Sequence, residues 1–185
     1  MAAAPALMTV DEYFRTPETV LPAELAFGIM HVADAPTPRH QSAVADLFRA
    51  MDRHVREGEL GQVWLSPLDV VLDVERALVV QPDLMFIARE REWIVQDRVR
   101  GAPDLVIEVL SPNPRIGRTE EHIRWFAACG VRECWLVHTQ RRDVRVIAFD
   151  GAGGMTRRLY TTNAAIRSDV LPAWTMSIGE VLRGA

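Results

Sequence analysis

The sequence predicts an α/β layer domain built around one mixed sheet, and three observations carry that expectation. Apolar residues recur at three and four along 39–57, marking an amphipathic helix with Val44, Leu47, Phe48, Met51 and Val55 on one side. Three short runs rich in Val, Ile, Leu and Phe then follow at 62–72, 78–88 and 104–110, broken by Asp, Arg, Gly and Pro, the pattern of buried strands. A second helical period comes next, and further strands after it.

Taken in order, Thr9 and Glu12 form a capping box that opens a short helix at Val10 and stops it before Pro17, with a mobile end ahead of it. Residues 24–32, apolar around Gly28, suit a strand or tight hairpin leading to a turn at Pro36-Thr37-Pro38. Gly58 ends the long helix. The second helix spans 118–128, with Ile123, Phe126 and Ala127 on one side, Glu120 and Arg124 as an i, i+4 pair, and Gly130 closing it. Residues 133–138 and 143–149 form a hairpin across Thr139-Gln140-Arg141-Arg142. A strand at 155–160 and a last short helix at 178–182 complete the chain. No internal repeat interrupts this order, and 185 residues are room for a single domain, 1–185.

Composition narrows the chemistry. All 21 positive side chains are arginine, so Schiff-base chemistry, a Walker-type phosphate loop and the standard lysine of metal-dependent nucleases are excluded. With 25 acids the net charge is −4, which argues against a uniformly basic nucleic-acid coat. Cys129 and Cys134 lack zinc-ligand spacing and read as small core residues. The start has no basic n-region before an apolar stretch, and no window is apolar enough to span a bilayer, so a cytoplasmic protein is expected.

Three acids stand in or beside apolar strands: Asp83, Asp104 and Glu108. A carboxylate between Ile107 and Val109 is costly to bury unless it is paired or binds a cation, which makes Glu108 the leading functional candidate. Asp104 shares its strand face but lies roughly 13 Å away along it, too far to share one metal ion. Asp83, on another strand, can lie beside Glu108 if the two strands are neighbours. The bland reading of Asp83 and Asp104, each following a proline, is a turn cap at a strand start.

The strings Gln81-Pro82-Asp83-Leu84, Gly101-Ala102-Pro103-Asp104-Leu105-Val106-Ile107-Glu108-Val109-Leu110-Ser111-Pro112 and Gly130-Val131-Arg132-Glu133-Cys134-Trp135-Leu136-Val137 closely resemble the Uma-two family of restriction endonucleases, a branch of the PD-(D/E)xK nuclease superfamily. The resemblance extends to Pro36-Thr37-Pro38-Arg39-His40-Gln41 and Ser66-Pro67-Leu68-Asp69-Val70-Val71-Leu72, nearly the whole chain. It implies a restriction-endonuclease-like core, a mixed sheet flanked by helices. It further implies Asp83 and Glu108 as Mg²⁺ ligands, with Mn²⁺ as substitute, the carbonyl of Val109 as a third ligand, and Glu24 as the match of a further family glutamate.

The departures concern the water-activating group. In the family the functional lysine sits in the helix after the glutamate strand, four residues after an aspartate and four before a tyrosine. Those positions are Arg118, His122 and Phe126 here, and Leu110 agrees with the family in not being lysine. Histidine can take a proton but, with a reference pKa near 6.5, holds a charge only part of the time. Arg118 and Arg124 are candidates to lend the missing charge. Phe27-Gly28-Ile29 also lacks the acids of the family's Asp-Gly-Glu turn.

His40, His31, His54 and His138 are weaker candidates, the first with a possible contact to the acids. The five tryptophans are too scattered for a base-stacking platform, and the paired arginines are interleaved with acids. The resulting expectation is a Mg²⁺-dependent DNA endonuclease with His122 in the lysine's place. The alternative is a nuclease fold that no longer cuts and serves as a DNA-binding or protein-interaction module. Cleavage of both strands would call for a two-fold homodimer, with Trp93, Trp174 or the hairpin around Arg141 as contact sites.

Overall fold

A computed structural model describes residues 7–17, 21–110 and 119–182. The expected mobile end, 1–6, and Arg118 lie outside the described residues. The elements run α1 (Val10–Arg15), β1 (Ala23–Ala26), β2 (Ile29–Val32), α2 (Pro38–Glu57), β3 (Gly61–Leu65), β4 (Val70–Asp73), β5 (Leu78–Val80), β6 (Leu84–Ala88), β7 (Val99–Arg100), β8 (Leu105–Val109), α3 (Thr119–Cys129), β9 (Glu133–His138), β10 (Asp143–Phe149), β11 (Met155–Tyr160) and α4 (Ile178–Val181), with a 3-10 turn at Arg89–Ile94.

Local chemistry sets the boundaries. Thr9 and Glu12 close the capping box reciprocally: Glu12 Oε2 accepts the Thr9 N–H at 2.8 Å and Thr9 Oγ1 accepts the Glu12 N–H at 3.2 Å. Thr37 caps α2, with Pro38 in its first turn, where a missing N–H costs nothing. The β1–β2 turn places Phe27 and Gly28 at φ of 51° and 84°, the two positive values of a primed hairpin turn. A Cβ on Gly28 would stand 2.9 Å from Leu7 Cβ.

The single sheet expected from the sequence is two mixed sheets. One runs β2-β1-β5-β4-β7, the other β11-β10-β9-β8-β6-β3. The apolar run at 62–72 breaks at Ser66-Pro67 into β3 of the larger sheet and β4 of the smaller. The run at 78–88 breaks at Gln81-Pro82-Asp83 into β5 and β6, returning to the larger sheet. Prolines cannot donate to a ladder, so each run changes sheets at its proline.

The larger sheet is covered on both faces, which is why its central strands read as continuous apolar runs. Leu84, Phe86, Leu105, Ile107, Val109, Trp135 and Val137 pack against Val44, Leu47 and Met51 of α2 and the C-terminal segment around Trp174 and Ile178. Met85, Ile87, Val106, Cys134 and Leu136 face the other way, onto Ile123 and Phe126 of α3 and onto Val70, Leu78 and Val80 of the smaller sheet. By this alternation Glu108 belongs to the face shared with α3 and the smaller sheet.

Asp104 is fully buried and structural: it accepts from the Ala88 N–H at 2.9 Å, Arg91 at 3.0 Å and Arg132 at 3.3 Å. Asp104→Asn keeps an acceptor but removes the negative charge that pairs with Arg91 and Arg132, so a loss of about 2 kcal/mol is expected in chemical denaturation, without change in any metal affinity. Trp174, expected at the surface, is buried at 6% exposure, its indole held over Met176 O, whereas Trp93 is 71% exposed. Cys134 is core as expected; Cys129 is half-buried.

Candidate active site

The antiparallel register of β6 and β8 pairs Leu84 with Ile107 and Phe86 with Leu105. Continued one step past Leu84, it sets Asp83 opposite Glu108, the juxtaposition that the sequence left conditional on neighbouring strands. Asp83 Oδ2 accepts the Val109 N–H at 2.7 Å and lies 3.1 Å from His40 Nε2, which projects from the first turn of α2.

Glu24 enters from the smaller sheet. It is 5% exposed; its Oε1 accepts the Gln81 N–H at 2.9 Å, while Oε2 is buried with no hydrogen-bond partner among the described residues. His122 of α3 completes the cluster, its Nε2 3.5 Å from Glu24 Oε2 and its Nδ1 3.9 Å from Glu108 Oε1. Both separations are ion-pair range rather than hydrogen bonds, and among the described residues Nε2 too has no hydrogen-bond partner. The imidazole lies against Trp125, centroids 4.7 Å apart, with the Phe126 ring edge-on at 6.0 Å. Both β-sheets and both long helices therefore converge on one cleft of about 1000 Å³, lined by Glu24, His40, Asp83, Glu108, Val109 and His122 among others.

The electrostatics follow from packing three acids together. Burial, reinforced by Asp83 and Glu24, pushes the Glu108 carboxyl up to about 7 against the pull of His122. Burial likewise raises Glu24, with His122 and the Gln81 N–H opposing. For His122, burial disfavours the charged ring, but Glu108 and Glu24 outweigh it and hold its pKa above the usual histidine value. His40 is raised in the same way, burial being outweighed by Asp83 and Glu108.

A hard divalent cation suits this donor set. The oxygens are carboxylate oxygens, one of them is buried and, among the described residues, unsatisfied, and one carboxyl is driven toward its protonated form by burial beside two other acids. Among the described residues no group of three or more His, Cys, Asp or Glu side chains forms a ready-made cage. Mg²⁺ does not need one, because it keeps several waters and is commonly bound through one or two carboxylates plus substrate oxygens.

Several contributors escaped the sequence reading. Gln81, just after β5, ties β1 to the start of β4 within the smaller sheet: its backbone N–H binds Glu24, its Oε1 accepts the Ala23 N–H at 3.3 Å and its Nε2 donates to Asp69 at 2.9 Å. Asp69 also accepts from the Tyr13 hydroxyl at 3.2 Å and lies 3.5 Å from Arg98. Gln81 and Asp69 stand inside the motif strings, which was the available signal. Arg124, a candidate to lend charge, is exposed and acts on Glu120 instead of lining the cleft. Most of the paired arginines are engaged locally: Arg157 binds Glu120 at 2.8 and 2.7 Å, Arg100 binds Asp97, Arg141 binds Asp143 and Arg91 binds Asp104. His31 lies opposite Glu24 in the β1–β2 hairpin, and His54 contacts Pro172 O, remote from the acids.

The family profile described as "Uma2: Putative restriction endonuclease" matches residues 10–179. Among solved structures, the chain is similar to a crystal structure described as a putative nuclease belonging to DUF820 from Anabaena variabilis ATCC 29413. The two share 18% identity and a TM-score of 0.75 over 95% of this chain and 98% of that one, a likeness of fold. No curated protein matches the chain.

Proposed function

Because the chain belongs to the Uma2 family, whose members are described as putative restriction endonucleases, we propose that it is a Mg²⁺-dependent endonuclease hydrolysing phosphodiester bonds in DNA, with Mn²⁺ able to substitute. Asp83 and Glu108 are the proposed metal ligands, the Val109 carbonyl a third, and Glu24 a supporting acid from the opposite sheet. The observation that carries the reading is the convergence of Asp83, Glu108 and Glu24 on one cleft with a buried, unsatisfied carboxylate oxygen facing His122. When bound, such a cation lowers the pKa of its water and polarises a phosphoryl oxygen.

The chain's own residues supply the rest. His122 Nε2, buried and without a hydrogen-bond partner among the described residues, is the atom able to receive a proton from a water in the cleft. Neutral imidazole accepts that proton, and Glu24 and Glu108 stabilise the resulting imidazolium. Lysine at this position would hold a positive charge throughout and offset charge developing on the phosphorus. We expect His122→Lys to raise Mg²⁺-dependent nicking of supercoiled plasmid at least about tenfold, the gain of a permanent charge and less than the roughly 10²–10⁴-fold of a whole positioned acid–base group. Unchanged or lower nicking would remove His122 from this role.

A second reading, a nuclease fold retained as a DNA-binding or protein-interaction module, is favoured by one feature of the sequence, histidine in place of the family's lysine at 122 and arginine in place of its acid at 118. Titration calorimetry with Mg²⁺ or Mn²⁺ separates the two. Binding by the wild type that is lost in Asp83→Ala supports the enzyme; no binding by the wild type defeats it. The proposal extends to a two-fold homodimer, since cutting both strands needs two sites related by an axis, with exposed Trp93 and the turn at Arg141 as contact surface. Light scattering should return twice the 20.8 kDa chain mass, and a monomer mass would reject it. No helix among the described residues is long and apolar enough to cross a membrane.

A further inference from the structure

We infer that His40 is a positioning residue, holding the Asp83 carboxylate so that Oδ1 is the oxygen presented to a divalent cation; the inference rests on the metal reading above. Asp83 sits just before β6, in a connection between two sheets, where a short side chain could rotate. Two contacts arrest it, both at the same oxygen: Oδ2 accepts the Val109 N–H at 2.7 Å and meets His40 Nε2 at 3.1 Å. A carboxylate offers only lone pairs, so the bond requires the proton on Nε2, and His40 is the donor whether its ring is neutral or charged. An oxygen already accepting two hydrogen bonds, one from a neighbouring strand, has little lone-pair density left for a metal. Oδ1 is given no partner by either contact.

Both donors belong to rigid parts of the fold, so the orientation they impose is not adjustable. Val109 lies in the parallel ladder with β9, opposite Val137. His40 is fixed by its helix: the Thr37 hydroxyl accepts its N–H at 3.3 Å, and Val44, Leu47 and Met51 anchor α2 on the sheet. The ring and the carboxylate are 15% and 19% exposed, which keeps water from readily replacing the bond. The arrangement is that of an outer-shell partner, whose loss costs metal affinity about 10- to 100-fold when it orients a ligand.

Mn²⁺ titration of the full chain, read from the electron paramagnetic resonance signal of the free ion, tests this with wild type, Asp83→Ala, His40→Ala, His40→Gln and His40→Asn. Glutamine can place an amide N–H where the ring Nε2 stands; asparagine is too short. The expected result is wild-type binding that is lost in Asp83→Ala, weakened at least about tenfold in His40→Ala and His40→Asn, and largely restored in His40→Gln. Should His40→Ala fail to fold, the Gln and Asn pair decides alone. Unchanged affinity in His40→Ala with only a lower melting temperature, or equal weakness in Gln and Asn, overturns the positioning role and leaves the metal reading standing. No binding by the wild type, or undiminished binding in Asp83→Ala, overturns the metal reading and this inference with it.

Discussion

Glu108→Gln is expected to lower Mg²⁺-supported plasmid nicking at least about a thousandfold, about 4 kcal/mol of transition-state stabilisation. Glutamine fills the same volume on β8 and keeps a polar end toward the cleft, but it removes the charge that would face a divalent cation beside Asp83. The variant should not lose stability in metal-free buffer. The wild-type carboxyl is pushed up to about 7 by burial and by Asp83 and Glu24, so a neutral side chain relieves repulsion there. Loss of activity with an unchanged or higher melting temperature therefore assigns the defect to chemistry. Retention of a tenth or more of the wild-type rate would show that Glu108 is not a ligand.

Stability of the metal-free protein should fall as pH rises from about 5 to about 8. Glu108 binds its proton up to about 7 in the folded protein, against 4.5 as the ordinary glutamate value. Between these values the folded state holds more protons than the unfolded one, so the stabilisation is complete below the lower value and is lost on passing the upper. Glu24, His40 and His122 are displaced upward too, by burial for the acid and, against burial, by neighbouring carboxylates for the histidines. All four act with one sign. Glu108 alone should contribute roughly 1–3 kcal/mol, a shift of several degrees for a chain of this length. A divalent cation competes with these protons, so stabilisation by Mg²⁺ should instead grow with pH. Thermal melts across the range, with chelator and with Mg²⁺, should show opposite slopes, flattened in Glu108→Gln. A chelator curve that is flat or rises would contradict the charge arrangement.

Element types were legible because local signals and the fold agree: the capping box at Thr9, Pro38 opening α2, and the glycine in a primed turn. The split into two sheets was not, since a run such as 78–88 is apolar on both sides of Pro82 and periodicity cannot say which ladder each half joins. That one ambiguity hid how the site is assembled, although Glu24 was already a candidate. Glu24 and Gln81 face the dyad only because β1 and β5 belong to a sheet that packs over β8, a consequence of tertiary arrangement. Glu108 stood out because a carboxylate amid Ile107 and Val109 violates the pattern around it. His40 ranked only as a weaker candidate, because a histidine in the first turn of a helix satisfies every local rule and gains its meaning from the 3.1 Å contact with Asp83. Trp174, offered as a surface contact, is core instead: its indole packs on Trp135, centroids 5.7 Å apart.

The most direct test of a cation held between the β6 and β8 acids is anomalous diffraction from a crystal soaked in Mn²⁺, an ion suited to carboxylate and carbonyl oxygens. The expected map has a peak in the cleft within coordination distance of Asp83 Oδ1 and a Glu108 carboxylate oxygen, about 2.0–2.6 Å for oxygen ligands of such ions. A peak only elsewhere on the protein, or no peak in the cleft at millimolar Mn²⁺ above pH 7, would contradict it.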